Sequence, residues 1–104
     1  MILHGKTETE IYEEALDKWG EDAQIQMVIE ECSELIQALC KGYRNGLKSE
    51  YKSILEEMVD VEIMLAQLKI LMQKRFRIDG VSGRLVGYKL EKIYRLKEML
   101  EEEE

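Results

Sequence analysis

The sequence predicts an all-α fold, a helical bundle built on an antiparallel helix hairpin, and three observations carry that expectation. The 104 residues include no proline and only seven glycines, so little interrupts a helix. Apolar residues recur at three- and four-residue steps over long segments, the period of an amphipathic helix rather than the two-residue alternation of a strand. A composition of 45% apolar and 36% charged residues suits long helices with one covered face, and argues against a disordered chain.

Each element follows from its local pattern. Thr7 followed by Glu10 has the form of a capping box, and Ile11, Ala15 and Trp19 continue at helical spacing until Gly20 ends a short first helix. From about Asp22 to Tyr43, the residues Ile25, Val28, Ile29, Cys32, Leu35, Ile36 and Leu39 mark one apolar stripe on a second helix. Gly42-Tyr43-Arg44-Asn45-Gly46 supplies turn chemistry, with Ser49 or Ser53 to cap a third helix running from about Ser49 to Lys74. That helix is apolar in nearly every direction, from Ile54, Leu55 and Met58 through Ile63, Met64 and Leu65 to Ile70 and Leu71, so it expects cover on most sides. Lys74 to Gly87 reads as a mobile basic connection holding three glycines with Arg75, Arg77 and Arg84. A last helix, about Tyr88 to Glu101, carries Leu90, Ile93, Leu96 and Leu100 inward and Lys89, Lys92, Arg95 and Lys97 as a basic flank. The whole, residues 1–104, is expected to be a single domain with residues 1–6 and 101–104 frayed.

A chain of this size buries only about 65% of its unfolded surface. It has too few helices of its own to surround the third one, so a homodimer or homotetramer is expected. A net charge of -7 repels phosphodiester backbones and anionic lipid, which speaks against nucleic acid and membrane as partners. The chain opens with no basic segment leading into an apolar run, and no window of about 18 residues is free of charge. Cys32 and Cys40 are about 12 Å apart along one helix, too far to pair, and are expected to be reduced thiols in the core of a cytoplasmic protein.

Two acidic clusters stand out: Glu30-Glu31-Cys32-Ser33-Glu34 on the second helix and Glu56-Glu57-Met58-Val59-Asp60 on the third. With Ile54 at 0°, Glu57 falls near about 300° and Asp60 near about 240°, the sector that also holds Met64 and Leu71, so these acids sit among apolar neighbours. Glu31 and Glu34 flank a second, semi-apolar face that includes Met27 and Ala38. The pairs Glu31/Asp60 and Glu34/Glu57 are both centred on the Asn45–Gly46 boundary. A hairpin closed there sets each pair level and lets four carboxylates converge. Such a set must be protonated, turned to solvent, or neutralised by a cation. All-oxygen ligation favours Mg²⁺, with Mn²⁺ as a substitute. A di-iron site would need Glu-x-x-His pairs, and the chain's one histidine is His4. The plainer alternative is a solvated acidic face making ordinary ion pairs.

With these acids the sequence resembles the MazG-like all-α nucleoside triphosphate pyrophosphohydrolases, whose signature is Glu-Glu-x-x-Glu followed after a gap by Glu-x-x-Asp. Lys18-Trp19-Gly20 with Gln24 resembles the lead-in of short, phage-type members, and Lys89-Leu90-Glu91-Lys92 their basic final helix. The resemblance covers most of residues 10 to 100. It implies Mg²⁺ ligation by Glu31, Glu34, Glu57 and Asp60, and cleavage of a nucleoside triphosphate between the α and β phosphates. Glu30, Glu31 and Glu34 are the catalytic candidates, with the general base unassigned. Lys89, Lys92 and Arg95 are candidates for the outer phosphates, Trp19 for stacking on a base, and Gln24 for its edge. The plainer alternatives are a core anchor of the first helix for Trp19 and a capping or surface amide for Gln24, and the methionines Met27, Met58, Met64 and Met72 read as core filler. The competing reading of the whole is a non-enzymatic helical oligomerisation or interaction module that can bind nucleotide.

Overall fold

The computed structural model describes residues 1–76 and 80–102. Along them run two short strands, β1 (Ile2–Leu3) and β2 (Lys6–Thr7), and four helices, α1 (Glu8–Trp19), α2 (Glu21–Asn45), α3 (Tyr51–Phe76) and α4 (Val81–Glu102). The described residues are all-helical apart from the strand pair. They fall into two compact units, Met1–Leu71 and Met72–Glu104.

In the first unit, the segment expected to fray is instead a two-stranded antiparallel hairpin, with Ile2 opposite Thr7 and Leu3 opposite Lys6. His4 and Gly5, both at positive φ (51° and 80°), form the two-residue turn that suits the twist of a hairpin. Thr7 then caps α1. Its hydroxyl accepts the Glu10 backbone N–H and donates to the Glu10 carboxylate, each at 3.1 Å, while Glu8 and Glu10 complement the helix dipole. The α1 helix stops at Gly20, whose φ of 87° is open to glycine and whose N–H bonds to the Leu16 carbonyl at 2.9 Å.

The α2 helix runs two residues beyond its expected end, so Gly42 is not a turn residue but a buried position inside the helix. A side chain there would press on Ile54 Cδ1 and Leu47 Cδ2 at 3.1 Å from its Cβ, so the glycine is what lets α3 and the connecting loop pack onto α2. The reversal itself sits at Gly46, φ 97°. Ser49 belongs to that turn rather than to the start of α3. Its hydroxyl donates to the Asn45 carbonyl at 2.8 Å and reaches the Gly46 carbonyl at 3.2 Å.

The covered face of α2 is only partly the expected stripe: Ile25, Val28, Cys32 and Leu35 are half-buried, but Ile29, Ile36 and Leu39 are exposed, while Gln24, Ala38 and Gly42 are buried. Cys32 is half-buried and Cys40 exposed, both free thiols, so the expectation of two core thiols fails for Cys40. The core of the chain is small: Leu16, Ala38, Met64 and Leu71 are its buried apolar residues. Met27, Met58 and Met72 are exposed rather than filling it.

In the second unit, the expected basic connection is largely helix, since α3 continues to Phe76 and α4 begins at Val81. Gly83 and Gly87 lie inside α4. A glycine costs a helix about 1 kcal/mol relative to alanine, of which pairs such as Val81–Leu85 and Leu85–Tyr88 at helical spacing return about 0.2–0.5 kcal/mol each. Arg77 and Asp79 of that connection, and Glu103 and Glu104 of the acidic tail, lie outside the described residues. No residue of α4 is buried, and Leu90, Ile93, Leu96 and Leu100 of the expected inner stripe are each more than half exposed.

Candidate metal centre

The hairpin of α2 and α3 brings one carboxylate oxygen from each of Glu31, Glu57 and Asp60 within 4.8 Å of one another. The reason is register. The connection between the helices spans residues 46–50 rather than closing at Asn45–Gly46, and the face of α2 that carries Glu31 is turned toward α3. Glu34, one turn further along α2, stands close enough to act on both Glu31 and Glu57. Glu31, Glu34 and Glu57 are half-buried and Asp60 is exposed, so the set opens to solvent at its Asp60 edge.

Electrostatically the arrangement is unfavourable by itself. Partial burial, then the neighbouring charges of Glu34 and Asp60, raise the Glu31 carboxyl above the ordinary carboxylate range. The same causes in the same order raise Glu57. One oxygen of each, Oε2, is shielded from solvent and has no hydrogen-bond partner. Among the described residues, no lysine or arginine pairs with any of the four acids; the ion pairs Lys6–Glu14, Lys52–Glu56 and Lys97–Glu101 lie elsewhere. Orphaned, shielded carboxylate oxygens converging from two helices are what a divalent cation satisfies. An all-carboxylate donor set is the kind that would hold a hard cation such as Mg²⁺ or Mn²⁺. The donor set therefore fits a hard cation, and its three or four oxygens leave positions for water and phosphate.

Two recesses in the first unit flank the acids along the hairpin. One, about 530 Å³, is lined by Trp19, Ala23, Gln24, Gln26, Met27, Glu30, Met64 and Gln67. It holds both residues expected to meet a base. Trp19 is 60% exposed, which rules out a role as core anchor, and Lys18 lies over its ring at 5.4 Å. Gln24 is only 5% exposed, yet its Oε1 has no hydrogen-bond partner. Leaving such an acceptor unpaired costs about 1–3 kcal/mol, so a ligand donor there gains what the fold forgoes. Gln67, not foreseen from the sequence, shows a second shielded and unpartnered Oε1 in the same recess.

Glu30 is exposed and lines this recess, outside the converging carboxylates. The second recess, about 350 Å³, is lined by Glu34, Gln37, Ala38, Lys41, Glu50, Ser53 and Glu57. Lys89, Lys92 and Arg95 are exposed on α4 in the second unit, and their part as phosphate-binding cations rests on sequence alone. No helix among the described residues is long and apolar enough to cross a membrane. Comparisons with protein families, with curated proteins and with solved structures find no match to this chain.

Proposed function

We propose that the protein is a Mg²⁺-dependent nucleoside triphosphate pyrophosphohydrolase of the MazG-like kind, working in the cytoplasm as a homodimer or homotetramer. The observation that carries this reading is the convergence of Glu31, Glu57 and Asp60 oxygens from two helices, with shielded, unpartnered Oε2 atoms on Glu31 and Glu57. The exposed apolar side of the hairpin supports association of copies.

In this reading Glu31, Glu34, Glu57 and Asp60 hold Mg²⁺, with Mn²⁺ as a substitute. When bound, the cation neutralises phosphate oxygens and lowers the pKa of an attacking water. The chain's residues do the positioning. Trp19 stacks on the base, and Gln24 meets a hydrogen-bond donor on its edge. Glu30, left out of the converging set, accepts the proton as water oxygen bonds to the α-phosphorus and the bond to the bridging oxygen breaks. The monophosphate and pyrophosphate leave. Phosphoryl chemistry of this kind is mainly orientation and charge stabilisation, so it needs no serine or cysteine nucleophile.

The test is a panel of ribo- and deoxynucleoside triphosphates with Mg²⁺, read by chromatography. Release of pyrophosphate and the matching monophosphate from at least one is expected. No turnover of any substrate by folded protein would overturn the reading in favour of a helical interaction module.

A further inference from the structure

The two recesses lie on opposite sides of the carboxylates and differ in chemistry. Counting along α2, Gln24 precedes Glu31 by seven residues and Lys41 follows Glu34 by seven, so each lies about 10 Å from the acids along the helix. Seven residues are nearly two full turns, which also keeps each near the azimuth of its carboxylate. The recess toward Trp19 is lined by an indole, two methionines and amide groups. The recess toward the hairpin turn is polar, and Lys41 is its one cation. Lys41 is exposed and, among the described residues, makes no ion pair, although Glu34, Glu50 and Glu57 line the same recess.

Resting on the proposed hydrolase reading, we infer that this trough has a fixed polarity: a flat ring enters at Trp19 and Gln24, and the terminal phosphates of a triphosphate lie at Lys41, between Gln37 and Ser53. The Gln24 amide, nine-tenths buried with its Oε1 unpartnered, marks the ring end independently of the acids. A triphosphate with its base there and its middle at the carboxylates must direct its far end toward Lys41.

Charge sets a condition on this. Three carboxylates against one lysine make the second recess repel a free anion. With Glu34 and Glu57 neutralised by cations, Glu50 alone faces Lys41, and the Lys41 ammonium with the Ser53 hydroxyl and Gln37 amide can donate to phosphate oxygens. Pyrophosphate should therefore bind only as its magnesium complex. Glu50 should oppose it.

Calorimetry with inorganic pyrophosphate tests the inference without turnover. Wild-type protein is expected to bind it in millimolar Mg²⁺ and not in EDTA. Lys41→Met should weaken that binding about tenfold or more, as loss of a charge-assisted hydrogen bond does. Lys41→Arg should retain most of the affinity, and Glu50→Gln should tighten it. Lys41 is exposed, so these variants should keep the wild-type circular dichroism spectrum. No binding by wild-type protein, or equal affinity in Lys41→Met, would overturn the polarity. The two readings part cleanly. A protein that hydrolyses triphosphates but binds magnesium pyrophosphate without Lys41 keeps the function and loses this inference, and one that binds it through Lys41 without hydrolysing any triphosphate does the reverse.

Discussion

Glu57 shows at the scale of one residue what partial burial beside like charges does to a carboxyl. Its carboxyl is raised by partial burial and by Glu34 and Asp60, so folded protein holds that proton to higher pH than the unfolded chain does. In that window the native state binds more protons, and stability falls as pH rises from the ordinary carboxylate range up through the raised pKa. In metal-free buffer Tm should decline over this interval. Millimolar Mg²⁺ should remove most of the decline at neutral pH, because the cation binds the native carboxylates and not the unfolded chain. Glu57→Gln should flatten the pH dependence, leave the metal-free Tm at pH 7 unchanged or higher, and lower Mg²⁺ affinity by about a hundredfold or more, beyond the 10–100-fold typical of outer-shell partners. A marked loss of metal-free stability would instead make Glu57 a structural partner. The four acids were legible in the sequence because charged residues on an apolar face have few ways to be satisfied. Gln67 and Lys41 were not, because one amide or one lysine at helical spacing fits any surface, and only the packed hairpin places them in recesses beside the acids.

The helix hairpin is the element that makes those acids meet, and its register rests on two glycines with different duties. Gly46 reverses the chain at φ 97°, ψ 136°, a conformation that side-chain-bearing residues avoid. Gly46→Ala should cost about 1–3 kcal/mol in chemical denaturation, and a shifted reversal should weaken Mg²⁺ binding as well. Gly42 acts by its smallness. Gly42→Val must push aside Ile54 and Leu47, which stand 3.1 Å from an added Cβ even before branching, and overpacking of that kind costs about 1–3 kcal/mol. Both variants should lose metal affinity out of proportion to any change in the carboxylates themselves, read by Mg²⁺ titration under conditions where they remain folded. If either binds Mg²⁺ as wild type does, the register is held elsewhere. Periodicity located all four helices and the turn, since Asn45-Gly46 interrupts two long apolar patterns. It misplaced helix ends at glycines. Gly42, Gly83 and Gly87 read as breakers, but a glycine ends a helix only where the flanking residues stop supporting one.

For the whole molecule, the apolar side of the hairpin has more to cover than one chain supplies. On α2 the exposed residues Ile29, Ile36, Leu39 and Tyr43 share one stripe, and on α3 Tyr51, Leu55, Met58, Leu65 and Met72 share another, each set well away from the face that carries the acids. The sequence showed that these residues are apolar and periodic. It could not show that α2 would bury Gln24 and Ala38 and leave Ile29, Ile36 and Leu39 exposed, because periodicity marks the apolar residues without saying which of them the neighbouring helices cover. Full burial of an aliphatic or aromatic side chain is worth about 1.5–3 kcal/mol, so pairing two hairpins through these stripes would add more than a core of Leu16, Ala38, Met64 and Leu71 can provide. Sedimentation at micromolar concentration should therefore find a dimer or tetramer, and Ile36→Glu, which places a charge at the centre of the α2 stripe, should shift it toward monomer and lower Tm. All four carboxylates come from one chain, and association through these stripes would stabilise the hairpin that sets their register. Folding, association and metal binding are then linked, so diluting the wild-type protein should lower Tm and apparent Mg²⁺ affinity together, and Ile36→Glu should show the same joint loss at higher concentration. A wild-type monomer, or a Mg²⁺ affinity indifferent to dilution across the dissociation range, would show that the hairpin holds its register alone.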